Sequence, residues 1–217
     1  MRVLVACEES QRVCIAFREF KHEAYSCDIV QCSGGRPEWH IICDCLKIIN
    51  GNIEFNTQDD TYHAVDKWDL LIAHPPCTYL SNAATSKHSL KSVTLEDINA
   101  RTIKRIQAQE FFMKIAKANC EKIAIENPVG VINTVYRKPD QIVNPWQFVE
   151  SINDPEYVSK RTCLWLKNLK PLPTNDLPKP NKKPWTDTIC GKDRVRKRSK
   201  TFKCIAKAMA IYWGEED

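Results

Sequence analysis

Short runs of almost uninterrupted apolar residues constrain the fold most. They are Val3–Ala6, the Trp-Asp-Leu-Leu-Ile-Ala stretch from Trp68 to Ala73, and Lys122–Ile125. A strand with one wet face alternates apolar and polar residues, whereas a strand covered on both faces does not. Helical signals lie between the runs. Ser10 is placed to cap a helix whose apolar face is Val13, Ala16, Phe17 and Phe20. Glu23–Ile29 reads as a further strand, ending at Asp28. Thr94 and Asp97 have capping-box spacing and open a long helix with Leu95, Ile98, Ile106, Phe112, Met113 and Ala116 on one face. This alternation predicts an α/β fold with a doubly wound, mostly parallel, Rossmann-like sheet.

The 217 residues suit one domain. The expected organisation is a core over 1–166, a proline-rich basic excursion over 167–197, and a C-terminal helix over 198–217 that returns to the core. That helix shows Ile205, Ala208, Met209 and Tyr212 on one face. No apolar run approaches the ~18 residues of a membrane span, and Glu8 and Glu9 come too early for a secretory signal. A soluble, cytoplasmic protein with no membrane partner is expected. The eleven cysteines then read as reduced and mostly buried. Cys27, Cys32, His40, Cys43 and Cys45 lack the paired C-x2-C knuckles of structural zinc sites, so no metal is expected.

Glycine is scarce, with six residues of which the first is Gly34. Neither G-x-G-x-x-G nor G-x-x-x-x-G-K-[ST] occurs, which excludes the usual dinucleotide and P-loop phosphate sites. The net charge of +5 is unevenly spread. Residues 1–150 carry 17 basic and 19 acidic side chains, and residues 151–217 carry 15 and 8. The densest stretch holds Lys192, Arg194, Arg196, Lys197, Arg198 and Lys200, a focused positive field of the kind that faces nucleic acid.

In an open parallel sheet, ligands collect at the carboxyl ends of the strands. The first strand opens into Cys7-Glu8-Glu9, where two carboxylates repel phosphate and suit a cation. The second ends at Asp28, positioned to accept hydrogen bonds from a ribose diol. Together they fit a sulfonium nucleoside such as S-adenosylmethionine. The third ends in His74-Pro75-Pro76-Cys77, where two prolines make a stiff elbow that holds Cys77 at the sheet edge as a candidate nucleophile. The fourth ends in Glu126-Asn127-Pro128. If those two strands are neighbours, a thiol and a carboxyl face one crevice, a pair suited to covalent addition to an electron-poor ring.

These residues resemble the DNA (cytosine-5) methyltransferases. Pro75-Pro76-Cys77-Thr78-Tyr79-Leu80-Ser81-Asn82-Ala83-Ala84 is similar to that family's Pro-Pro-Cys-Gln-x-Phe-Ser-x-Ala-Gly segment, and Glu126-Asn127 to its Glu-Asn-Val signature. The resemblance implies that Cys77 attacks carbon 6 of an extruded cytosine, that Glu126 engages N3, and that S-adenosylmethionine methylates carbon 5. Arg161 would match an arginine of the family's Gln-x-Arg-x-Arg segment, and Asp44 the acid at the adenine amino group. The implied cofactor contacts are Cys7, Glu8, Glu9, Asp28, Asp44, His74 and Pro76. The implied nucleic-acid contacts are Ser81, Asn82, Arg194, Arg196, Lys197, Arg198 and Lys200. The chain departs from the family in two ways. Val5–Gln11 contains no glycine where the family has Phe-x-Gly-x-Gly-Gly, and only residues 167–197 are available for target recognition, which points to low sequence specificity or a protein partner. The same chemistry on RNA or a nucleotide, and a nucleic-acid-binding module without activity, are the alternatives. A bacterial or phage-infected cell is the setting that compact family members imply.

Overall fold

The computed structural model describes residues 1–82, 94–181 and 183–215. The chain begins with β1 (Arg2–Ala6), α1 (Arg12–Glu19), β2 (Glu23–Asp28) and β3 (His40–Ile42). A hairpin of β4 (Ile53–Asn56) and β5 (Tyr62–Val65) precedes β6 (Leu70–Ala73), α2 (Leu95–Ala116) and β7 (Lys122–Pro128). The short α3 (Ile132–Val135) leads to β8 (Gln141–Val143) and β9 (Thr162–Lys167). The small α4 (Trp185–Thr188) and α5 (Arg194–Ser199) precede α6 (Lys203–Gly214).

Among the described residues, seven strands form one sheet in the order β3-β2-β1-β6-β7-β9-β8. The five from β3 to β7 are parallel, while β9 runs antiparallel to both β7 and β8. The winding reverses between β1 and β6, so the sheet is doubly wound and mostly parallel, as expected. That reversal is the switch point beside which such sheets bind ligands.

The continuous apolar strands arise because both faces are covered. Leu4, Ala6, Leu71, Ile123 and Ile125 join Phe112 and Ile115 of α2 in one core. Val3, Val5, Leu70, Ile72 and Ala124 join Val13 and Phe17 of α1 and Ile205, Met209 and Trp213 of α6 in the other. The hairpin β4–β5 was not expected, and it closes the first core by packing Phe55 5.3 Å from Tyr25, with Trp68 6.1 Å from Tyr25 and 6.3 Å from Phe55 in the same aromatic group.

Several details differ from the sequence reading. Ser10 does not cap α1; Gln11 precedes the helix in a left-handed conformation without a side-chain cap. The capping box of Thr94 and Asp97 does form, but the apolar stripe expected along α2 is not buried at its start, where Leu95 and Ile106 are exposed and only Phe112 and Ile115 are fully covered. Tyr212 is likewise exposed on α6, where Trp213, Ala206 and Ala210 are buried instead. Residues 168–184 carry no helix or strand among those described, and they are pinned by Asn175 to the carbonyls of Trp146 and Val149 and by Leu172 to the Gln141 side chain.

Candidate active site

The sheet register brings the two expected chemical loops together. Ala73 pairs with Ile125, so His74, just past β6, and Glu126, within β7, lie at the same level. Their side chains, both nearly buried, meet at 2.8 Å between His74 Nδ1 and Glu126 Oε2. Asn127 donates from Nδ2 to the Pro75 carbonyl at 2.7 Å, clasping one loop to the other. Beyond it the backbone continues the lacing: Asn82 N–H donates to Val129, Val131 N–H to Leu80, and Ser81 bridges Gly130. Gly130 is required at this crossing, because a Cβ there would lie 1.9 Å from the Leu80 carbonyl oxygen. Pro76 and Cys77 project to the surface on this scaffold, in a turn closed by the Leu80 and Ser81 amides on the Cys77 carbonyl.

The charges in this corner are coupled. Burial alone would lower the His74 imidazole, but the hydrogen bond and charge of Glu126, aided by Glu8, raise it above its ordinary value. Burial alone would raise the Glu126 carboxyl, but His74 and the nearby Lys160 hold it below the ordinary range. Each partner thus favours the charged form of the other. Crowding around the Cys77 sulfur and the charge of Glu126 raise its thiol, while Lys160 opposes them. Lys160 is thus the cation whose field reaches Cys77 and Glu126. Arg161 is exposed, and its field acts on Cys163.

No protein-family model and no curated protein matches this chain.

The loop after β1 replaces glycine with strained non-glycine residues: Cys7 and Gln11 both take left-handed conformations, with φ of 60° and 57°. Such positions cost roughly 1 to 2 kcal/mol each and persist where surrounding contacts fix them. Buried Gln11 is held by hydrogen bonds to the Arg36 backbone and to Ser26. The turn directs Glu8 back onto the start of α1, where its carboxylate accepts from the amides of Val13 at 2.7 Å and Cys14 at 3.2 Å. A helix N-terminus that receives phosphate in other sheets of this class is thereby occupied by the protein's own anion. Burial raises the Glu8 carboxyl to about 7.

The remaining expected cofactor residues separate. Glu9 keeps one oxygen on Arg196 at 3.3 Å, while Oε2 is buried with no hydrogen-bond partner among the described residues. Asp28 is half-buried at the end of β2, and burial raises its carboxyl. Asp44 is exposed and caps the turn after β3 through the Leu46 amide. Cys7 lies 3.8 Å from Cys45, and Cys27 3.7 Å from Cys43, sulfur to sulfur. Both ring nitrogens of His40 are engaged, by Ser26 and the Val30 carbonyl. Among the described residues no group of three or more His, Cys, Asp or Glu is arranged to hold a metal ion, and no helix is long and apolar enough to cross a membrane.

The basic segment lies against this same edge. Arg196 reaches Glu9, Lys200 donates to Ser33 at 3.0 Å, and Arg198 is tied to the Ile189 carbonyl. Arg194 and Lys197 are exposed. Sequence reasoning missed His74 as the partner of Glu126 and Lys160 as the local cation. The first was legible from two apolar runs, ending at Ala73 and Ile125, each followed directly by a polar side chain.

Proposed function

We propose that the protein transfers a methyl group from S-adenosylmethionine to carbon 5 of cytosine in DNA, through a covalent adduct with Cys77. The observation that carries this reading is the pairing of an exposed cysteine at the end of β6 with a buried carboxylate at the end of β7, locked to it by His74 and Asn127. The cofactor fits the residues at the neighbouring strand ends. Glu8 closes the helix N-terminus to phosphate, while the Glu9 oxygen that Arg196 does not engage, buried and without a partner among the described residues, would accept from a cationic group. Glu9 would face the charged end and Asp28 the ribose diol. When bound, the cofactor supplies a methyl group on a positively charged sulfur.

The chain's own residues do the rest. Cys77 forms a sulfur–carbon bond to C6 of the ring, giving its proton to solvent, with Lys160 stabilising the thiolate. Cytosine N3 is an acceptor, so Glu126 engages it by carrying a proton, which reaches the carboxyl from solvent or through the adjacent His74 and passes to N3 as the sulfur adds. Electron density then accumulates at C5, which takes the methyl group. Solvent takes the C5 proton, the electron pair left at C5 forms the C5–C6 double bond as Cys77 leaves as a thiolate, and N3 returns its proton to Glu126, which restores the aromatic ring. Because neither face of a stacked base is accessible, the cytosine must leave the duplex, and the exposed Cys77 turn is where it would arrive.

Nucleoside mass spectrometry of duplex DNA incubated with the protein and S-adenosylmethionine tests this directly. A 5-methylcytosine peak is expected, together with a denaturation-resistant adduct on 5-fluorocytosine DNA that is lost in Cys77→Ser. No new nucleoside, or an adduct that survives the substitution, overturns the reading.

A further inference from the structure

The basic segment noted in the sequence sits on one side of the crevice, against the loops after β1 and β2. A second set of cations stands on the other side. Arg101, Lys104 and Arg105 of α2 follow the i, i+3, i+4 spacing that places them on one helix face. That face meets the nucleophile's own turn. Arg101 donates from Nη2 to the Thr78 carbonyl at 3.1 Å, and its guanidinium lies 5.0 Å from the centre of the Tyr79 ring. The Lys104 ammonium is 5.9 Å from the same ring. Two cations and an aromatic ring therefore cluster immediately after Cys77, on the first turns of a helix whose buried residues all lie further along.

The chemistry of that cluster selects its ligand. A forked guanidinium and an ammonium recognise phosphate oxygens, and an aromatic ring interleaved with them is the usual platform for a nucleotide strand. An acidic protein would satisfy one patch, but cations flanking the crevice on both sides suit a ligand charged along its whole length. We propose that Arg101 and Lys104 form a phosphate clamp for the nucleic-acid strand on the side of the crevice opposite α5, next to the nucleotide that reaches Cys77. This deepens the function proposed above and rests on it for the identity of the nucleotide.

The test is fluorescence anisotropy of a labelled DNA duplex titrated with full-length protein between about 50 and 200 mM salt. Two lost phosphate contacts lower the slope of log affinity against log salt by about 1.8, since each contributes about 0.9 on duplex DNA. Arg101→Gln/Lys104→Gln is thus expected to lose about 12-fold less affinity than wild type across that fourfold salt range. The charge-preserving pair Arg101→Lys/Lys104→Arg is expected to keep the wild-type slope. Should the double neutral variant not fold, Lys104→Gln alone on the helix surface is read for a slope change of about 0.9. A wild-type slope in the neutral variants, or no binding by the wild type, overturns the clamp. Methyl transfer is scored separately: methylation with an unchanged slope sinks the clamp alone, and a changed slope without methylation sinks the reaction alone.

Discussion

Glu8 makes the stability of the protein depend on pH in a direction opposite to that of most carboxylates. Its carboxyl rises from 4.5 to about 7 in the folded protein, chiefly because burial penalises the charge. At about 1.4 kcal/mol for each tenfold change in proton affinity, ionising Glu8 in place costs about 3 kcal/mol relative to the unfolded chain. Between pH 4.5 and 7 the folded state holds a proton that the unfolded state has released, so stability falls as pH rises through that window and levels off above it. Glu8→Gln removes the titration. The amide keeps an acceptor for the Val13 N–H and gives up the 3.2 Å bond from Cys14, a loss of about 1 kcal/mol. At pH 4 the variant is therefore expected to be less stable than wild type by about 1 kcal/mol, and at pH 8 more stable by about 2 kcal/mol. Urea denaturation followed by tryptophan fluorescence at both pH values reads the crossover. A stability difference that is the same at the two pH values refutes the reasoning, because Glu8 would then titrate alike in the folded and unfolded chains.

Other outcomes follow from the same geometry. His74→Asn removes the partner that holds the Glu126 carboxyl down, so burial prevails and a carboxyl-detected NMR titration should find Glu126 protonated at higher pH than in wild type; an unmoved or lowered value counts against the pairing. Iodoacetamide is expected to label the exposed Cys77 and Cys190 before the buried Cys14, Cys27, Cys45, Cys120 and Cys163, as read by peptide mass spectrometry. Lys160→Met should slow labelling of Cys77 several-fold by withdrawing the charge that lowers its thiol, and an equal rate would remove Lys160 from the site. Gly130→Ala forces a methyl group against the Leu80 carbonyl and is expected to cost about 1 to 3 kcal/mol, so wild-type stability in urea would contradict the close approach.

How much of this was legible follows from what each residue depends on. The parallel strands could be read because burial on both faces removes polar residues from the run, a property of the strand itself. Cys77 and Glu126 could be read because each directly follows or ends such a run. The role of Glu8 could not, since its reach to α1 depends on left-handed turns at Cys7 and Gln11, where no glycine advertises them. Lys160 precedes the antiparallel β9, and nothing local shows that this strand inserts between β7 and β8. The hairpin β4–β5 did carry a signal, since buried Phe55 and Val65 alternate with exposed neighbours at period two. The stripe on α2 gave the opposite error: a helical period reports an apolar face without reporting what packs on it, and Leu95 and Ile106 remain exposed.

The clasp from Asn127 to Pro75, with the amide bonds that follow it to Asn82, has a kinetic meaning. The turn of Cys77 and the strand of Glu126 are one rigid piece, so in the proposed reaction their mutual orientation would be fixed when the chain folds and not when a base arrives. Under that proposal, binding energy would act on the substrate, opening and rotating the nucleotide, in place of assembling the groups that react with it. Damage at Gly130 should accordingly register at Cys77, although more than fifty residues of chain separate them.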